Sequence, residues 1–224
     1  MIKASGKRVY ELLKKHLRYD EDEFVVYVAK DLANNPFVIL VSIILSQNTS
    51  DKNSIRALKN YINEIGSTCD DALRASVEAI QKAIRPAGLY KQKATTIKRL
   101  AIEYCNRGPQ ILNNNDINLI KMWLLSIPGI GRKTVDVFLQ LLYDAPVFAV
   151  DTHAARIAKR WGLVGDKASY DEISHALLEF FGHEHAGEAH RLLIVLGRRY
   201  CKSRKPRCGE CPLREVCPYA QRQS

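Results

Sequence analysis

The sequence has no apolar run near the ~20 residues that a membrane-spanning helix needs, and no basic n-region followed by an apolar h-region at its N-terminus. The expectation is a cytoplasmic protein with no membrane partner. Alternation of apolar and polar residues between hairpin turns is absent as well, which excludes a β-sandwich or barrel and makes the expected class all-α. No fixed repeat is visible, so a solenoid is excluded too. Acidic residues are the scarcer charge: 24 Asp and Glu face 34 Lys and Arg, a net charge of +10. A surplus of this size suits a polyanion such as nucleic acid, although basic enzymes without one also carry it. Extra targeting sequence of the eukaryotic kind is missing, which leans towards a prokaryotic source.

Several helices are marked by their punctuation. Residues 7–18 place Val9, Leu12, Leu13 and Leu17 on one side, and residues 24–32 follow an acidic break. Asn35-Pro36 caps an almost wholly apolar stretch at 37–45, which the cap turns from a strand candidate into a core helix. Further helices are expected at 50–65, at 76–84 behind Ser76, and at 91–106, the last basic and amphipathic. Beyond position 150, helices are expected at 152–161, behind the Ser169–Glu172 capping box, and at 184–200. His183, His185 and His190 have no spacing that suits three metal ligands and read as ordinary helix residues.

The stretch around which the chain is organised is residues 124–156. Pro128-Gly129-Ile130-Gly131 makes a tight turn between expected helices at 116–126 and 132–143, because the residue before a proline avoids the α region and glycine accepts positive φ. Val135, Phe138, Leu139 and Leu142 give the second helix a buried face. Glycines beside a helix N-terminus also leave backbone N–H groups bare for a phosphate oxygen, but the turn alone reads equally well as a plain αα-hairpin. Lys133 lies in the first turn of the new helix and Asp151 at the head of another. Taken singly, each has a bland reading, Lys133 as a phosphate-binding cation and Asp151 as an N-cap.

Four of the six cysteines, Cys201, Cys208, Cys211 and Cys217, give the spacing C-x6-C-x2-C-x5-C. A metal site in an intracellular chain accounts for this crowding better than a disulfide framework does. Four thiolates can hold zinc or an iron–sulfur cluster, and their chemistry alone does not choose. Cys69 and Cys105 are left over and are expected to be buried helix cysteines. Residues 191–207 carry seven basic and no acidic side chains, a solvated face or a phosphate contact.

The run Ile-Pro-Gly-Ile-Gly-Arg-Lys-Thr, the later Val-Asp-Thr-His and the cysteine spacing together resemble the helix-hairpin-helix DNA glycosylases, and within them the endonuclease III type. The likeness covers roughly residues 25–217. It implies two helical domains with a DNA-binding cleft between them, one of six helices at 25–144 and one built from 1–24 with 145–224, the latter carrying a four-iron four-sulfur cluster on the four cysteines. It implies a monomer acting on double-stranded DNA that holds damaged bases or abasic sites. Lys133 would be the nucleophile and Asp151 its acidic helper. Gln47 would fill the gap left by a flipped base, and Leu89, in the Gly88-Leu89-Tyr90-Lys91 corner, would wedge into the stack. Gly129, Ile130, Gly131, Arg132, Lys202 and Arg204 would hold the DNA backbone. Without the likeness, Gln47 reads as a polar helix end and Leu89 as a packed apolar residue.

The activity implied is that of a bifunctional DNA glycosylase and abasic-site lyase for oxidised pyrimidines. A lysine attacks carbon only as the neutral amine, which the positive end of a helix dipole and desolvation both favour. Two rivals stand beside it. A mismatch glycosylase of the same fold, acting on T·G or U·G, generally lacks the lysine, and a non-catalytic hairpin module needs neither Lys133 nor Asp151. One departure from the family pattern is plain: three residues, Asn48-Thr49-Ser50, separate Gln47 from Asp51, one more than is typical.

Overall fold

A computed structural model describes residues 1–222. Among them the secondary structure is helical throughout, with thirteen α-helices, short 3-10 turns and no strand, as expected of an all-α chain. The chain divides into two compact units, Asp20–Tyr143 and the discontinuous Met1–Tyr19 with Asp144–Ser224. Among the described residues no helix is long and apolar enough to cross a membrane.

The discontinuous unit begins with α1, Gly6–His16, whose N-cap Ser5 accepts from the Arg8 amide. The contiguous unit then runs through α2 (Val25–Ala33), α3 (Pro36–Ser46), α4 (Asp51–Glu64), α5 (Cys69–Arg74), α6 (Val77–Ala83), α7 (Tyr90–Asn113), α8 (Ile117–Leu125) and α9 (Arg132–Tyr143). That makes eight helices where the family likeness led us to expect six. Its axis is α3, where every residue from Phe37 to Leu45 is buried. The Asn35 side chain caps the Phe37 amide at 2.9 Å with Pro36 in the first turn, so the most apolar segment of the chain starts at a defined place. Helices α2, α4, α7 and α9 pack around it. Asn48, in the turn after Gln47, is left-handed, φ 51°, a conformation that asparagine accepts more readily than most residues.

The discontinuous unit resumes with α10 (Thr152–Trp161), α11 (Tyr170–Phe181), α12 (His183–Arg199) and the short α13 (Pro218–Gln221). Helix α1 packs on α11 and α12. Trp161, Phe148 and Phe181 form its aromatic centre. The three histidines go to separate partners: His183 to the Asp144 carbonyl, His185 onto the Tyr10 ring, and His190 edge-on to Phe148.

Cys69 and Cys105 correct a sequence expectation. They are only half-buried and are joined in a disulfide between α5 and α7, with Cα atoms 5.7 Å apart.

Candidate active site

In the contiguous unit the site is built on the turn between α8 and α9. Asp116 caps α8 by accepting from the Asn118 and Leu119 amides, and Ile130 N–H closes the turn on the Ile127 carbonyl at 3.0 Å. Ile130 is buried, 5% exposed, while Pro128, Gly129, Gly131 and Arg132 face outward. Gly129 is required twice over. Its φ is +100°, and a Cβ there would stand 2.2 Å from Thr96 Oγ1 on α7, so the turn is seated directly against that helix. Gly131 has open space around it and no positive φ. The sequence expectation of two glycines freed for positive φ therefore holds for one of them.

Lys133 is half-buried in the first turn of α9. Within its own unit the ammonium makes no hydrogen bond or ion pair, although its neighbour Thr134 is buried and engaged: Gln47 Nε2 donates to Thr134 Oγ1 at 3.1 Å. That contact brings Gln47, the C-cap of α3, to the same helix start as Lys133. Leu89 stands just before α7, 51% exposed and in the left-handed region, φ 46° and ψ 27°. A branched side chain there costs roughly 1–2 kcal/mol of backbone strain. Apolar, exposed and strained, Leu89 is not the packed residue that its composition alone implies.

Sequence reasoning missed the group that joins these loops. Lys93 on α7 is 3% exposed, and its Nζ donates to Leu45 O at 2.8 Å, Thr49 Oγ1 at 2.7 Å and Ala87 O at 2.9 Å. The signal was available: Lys93 shares the face of Ile97, Leu100 and Tyr104, the apolar side of a helix read as merely basic.

In the discontinuous unit Asp151 is the N-cap of α10, its Oδ1 accepting from the Ala154 amide at 2.7 Å. Its other oxygen has no partner within that unit. The segment leading to it is held by α11. Ser174 Oγ donates to Phe148 O at 2.7 Å, and the Val150 amide donates to Tyr170 OH at 3.2 Å. The bland reading of Asp151 is thus true of one oxygen and leaves the second available.

The cysteine loop hangs from the same helix. Arg156 Nε donates to Cys201 O at 2.9 Å, while Arg160 donates to Cys201 Sγ at 3.1 Å and to Lys202 O at 2.8 Å and lies over the Tyr219 ring. Cys201, Cys208, Cys211 and Cys217 are free thiols. Burial pushes the Cys211 thiol up to about 12, with the other three sulfurs adding to the shift, and raises Cys208 with help from Cys201 and Cys217. Four thiolates facing one space need a cation among them. Four cysteine thiolates are the donor set that an iron–sulfur cluster takes, as the family likeness led us to expect. Lys202, Arg204 and Lys205 are exposed and make no ion pair in their unit, while Arg207 is held by Glu210.

The model of the HhH-GPD superfamily base excision DNA repair proteins matches residues 41–183, and the iron-sulfur binding domain of endonuclease III matches residues 201–217. The chain is 33% identical over 221 residues to endonuclease III of Sulfolobus acidocaldarius, covering 96% of each, and 33% identical over 193 residues to that of Bacillus subtilis, covering 85% of this chain and 84% of the other. It superposes on a non-covalent endonuclease III–DNA complex with a TM-score of 0.79 at 26% identity, covering 98% of both chains. The chain therefore belongs to the HhH-GPD superfamily of base excision DNA repair enzymes, within its endonuclease III family, and carries a four-iron four-sulfur cluster on Cys201, Cys208, Cys211 and Cys217.

Proposed function

We propose that this DNA glycosylase is bifunctional, removing oxidised pyrimidines such as thymine glycol from double-stranded DNA in the cytoplasm of a prokaryote and then cutting the strand. The observation that supports this reading is the Lys133 ammonium, half-buried in the first turn of α9 and unpaired in its own unit.

The damaged nucleotide leaves the stack, because its glycosidic bond cannot be reached within the duplex. Gln47 fills the gap and Leu89 wedges the step open. The neutral Lys133 amine forms a bond to C1′ as the C1′–N bond breaks, and the departing base takes the electron pair and a proton. Asp151, through its uncapped oxygen, steadies the positive charge that develops on the sugar and shuttles the proton. Opening of the sugar ring leaves an iminium between Lys133 and C1′. Loss of the C2′ proton then expels the 3′ phosphate oxygen by β-elimination, and water returns Lys133.

Gly129 and Gly131 hold phosphates through backbone amides in a turn that the buried Ile130 anchors, Arg132 adds a guanidinium, and Lys202 and Arg204 add sequence-blind, salt-dependent attraction. The cluster shapes the loop that displays those two cations; its contribution is structural.

Borohydride trapping tests the reading. Duplexes with thymine glycol or an abasic site should give a covalent protein–DNA band that disappears in Lys133→Gln. Base release from a T·G or U·G mismatch with no trapping on any duplex would instead establish the mismatch enzyme. Asp151→Asn separates capping from chemistry: asparagine caps as well as aspartate, so stability should stay within about 0.5 kcal/mol while turnover falls about a hundredfold.

A further inference from the structure

Lys93 is a buried cation with no carboxylate against it in its unit, a costly arrangement that an apolar side chain would avoid. The ammonium has three N–H donors, and all three are used on oxygens from separate segments: Leu45 O in the last turn of α3, Thr49 Oγ1 in the following loop, and Ala87 O in the turn before α7. Thr49 itself donates to Ala87 O. The pattern has a regular offset. Leu45 lies two residues before Gln47, Thr49 two residues after it, and Ala87 two residues before Leu89. One amine thus brackets the loop that presents Gln47 and the turn that presents Leu89, the latter in a strained conformation that relaxes unless it is held.

We propose that Lys93 is a positioning residue that locks the Gln47 loop to the Leu89 turn, so that gap-filling and wedging occur as one event when a nucleotide is extruded. This rests on the roles given above to Gln47 and Leu89. Neither side chain alone holds a duplex open: a wedge without a plug lets the base return, and a plug cannot enter before the step is unstacked. A fixed separation between the two converts two independent insertions into one, and a displacement near 1 Å is enough to cost about a hundredfold in rate.

The test uses the full protein with its cluster and four variants, Lys93→Met, Thr49→Val, Gln47→Ala and Leu89→Ala. Each is first compared with wild type for thermal unfolding, visible cluster absorbance and binding to undamaged duplex. Unstacking is then read from the fluorescence of 2-aminopurine placed beside an abasic site. Single-turnover strand cleavage is measured on the same duplex and on one in which the abasic site lies in an unpaired bulge. Lys93→Met should bind undamaged duplex within about twofold of wild type, lose the fluorescence rise and cleave the paired duplex about tenfold to a hundredfold more slowly, with most of that loss recovered on the bulge. Thr49→Val should show a smaller loss of the same kind. Should Lys93→Met fail to fold, Thr49→Val decides the matter alone. If Gln47→Ala and Leu89→Ala leave the fluorescence unchanged, the roles of those loops are wrong. If they abolish it while the folded Lys93→Met and Thr49→Val behave as wild type, or slow the paired and bulged duplexes equally, the positioning role of Lys93 is overturned.

Discussion

The hairpin turn and the cysteine loop are both short, irregular and proposed to meet phosphates, yet they are held in opposite ways. Residues 127–131 lean on what surrounds them: Ile127 and Ile130 are buried, and Gly129 lets the backbone press against Thr96. Between Cys201 and Cys217 only Leu213 is buried, and the loop depends on four sulfurs and on two arginines reaching across from α10. Apolar packing can shape a loop that a helix already backs. A segment with no core of its own needs a cross-link, and a cluster bound only by the folded chain turns its binding energy into folding energy.

The largest expected effect comes from removing that cross-link. Cys211→Ala should lose the cluster absorbance and open residues 201–217 to protease, while amide exchange in α3, α8 and α9 stays as in wild type; loss of protection there would show the contrast to be false. The disulfide offers the intermediate case, a cross-link between two helices that already pack. With its cysteines 36 positions apart in sequence, Cys105→Ser should lower unfolding free energy by about 2–4 kcal/mol without disordering either helix, as read by denaturant titration and circular dichroism. Within the hairpin, Gly129→Ala should cost about 2–4 kcal/mol from positive φ and the clash with Thr96, and Gly131→Ala no more than about 0.5 kcal/mol. Equal costs would mean that the turn is not seated on α7. A pH dependence is smaller than the cost at Gly129. Burial lowers the Lys93 amine to about 8 from 10.5, so between those values the unfolded chain binds the additional proton and stability rises with pH. Three hydrogen bonds to the ammonium offset part of the burial. Wild type should gain about 1–2 kcal/mol over Lys93→Met between pH 8 and pH 10.5.

The helices flanking the hairpin were legible almost to the residue, because Asp116, Pro128 and the face of Val135 and Phe138 each speak through local sterics or capping. The caps at Asn35, Ser76 and Ser169 all form as read. Helix α5 was missed: six residues are too few for a periodicity, although Thr68 and Asp71 do make a capping box. Helix α7 runs seven residues past its expected end, through Pro109. Gly108 there lies against Tyr104 and Trp123, where a Cβ would stand 2.9 Å from the Tyr104 ring, and this close packing holds a stretch that local rules would end. The disulfide was illegible because pairing over 36 positions depends on how α5 meets α7. At the site, Lys133 and the cysteines announced themselves through pattern. Lys93 did not, since a lysine on an apolar stripe reads as basic until its three acceptors are seen.

The discontinuous unit also has a consequence for synthesis. The ribosome finishes Asp20–Tyr143 in one stretch, so that unit can close as it emerges. Helix α1 is made before that unit, yet its partners α11 and α12 begin at Tyr170 and His183. At the usual 5–20 residues per second, its stripe of Val9, Leu13 and Leu17 waits roughly ten to thirty seconds for cover. A helix made before the contiguous unit is therefore covered only after it, and the nascent chain carries a small adhesive surface throughout that interval.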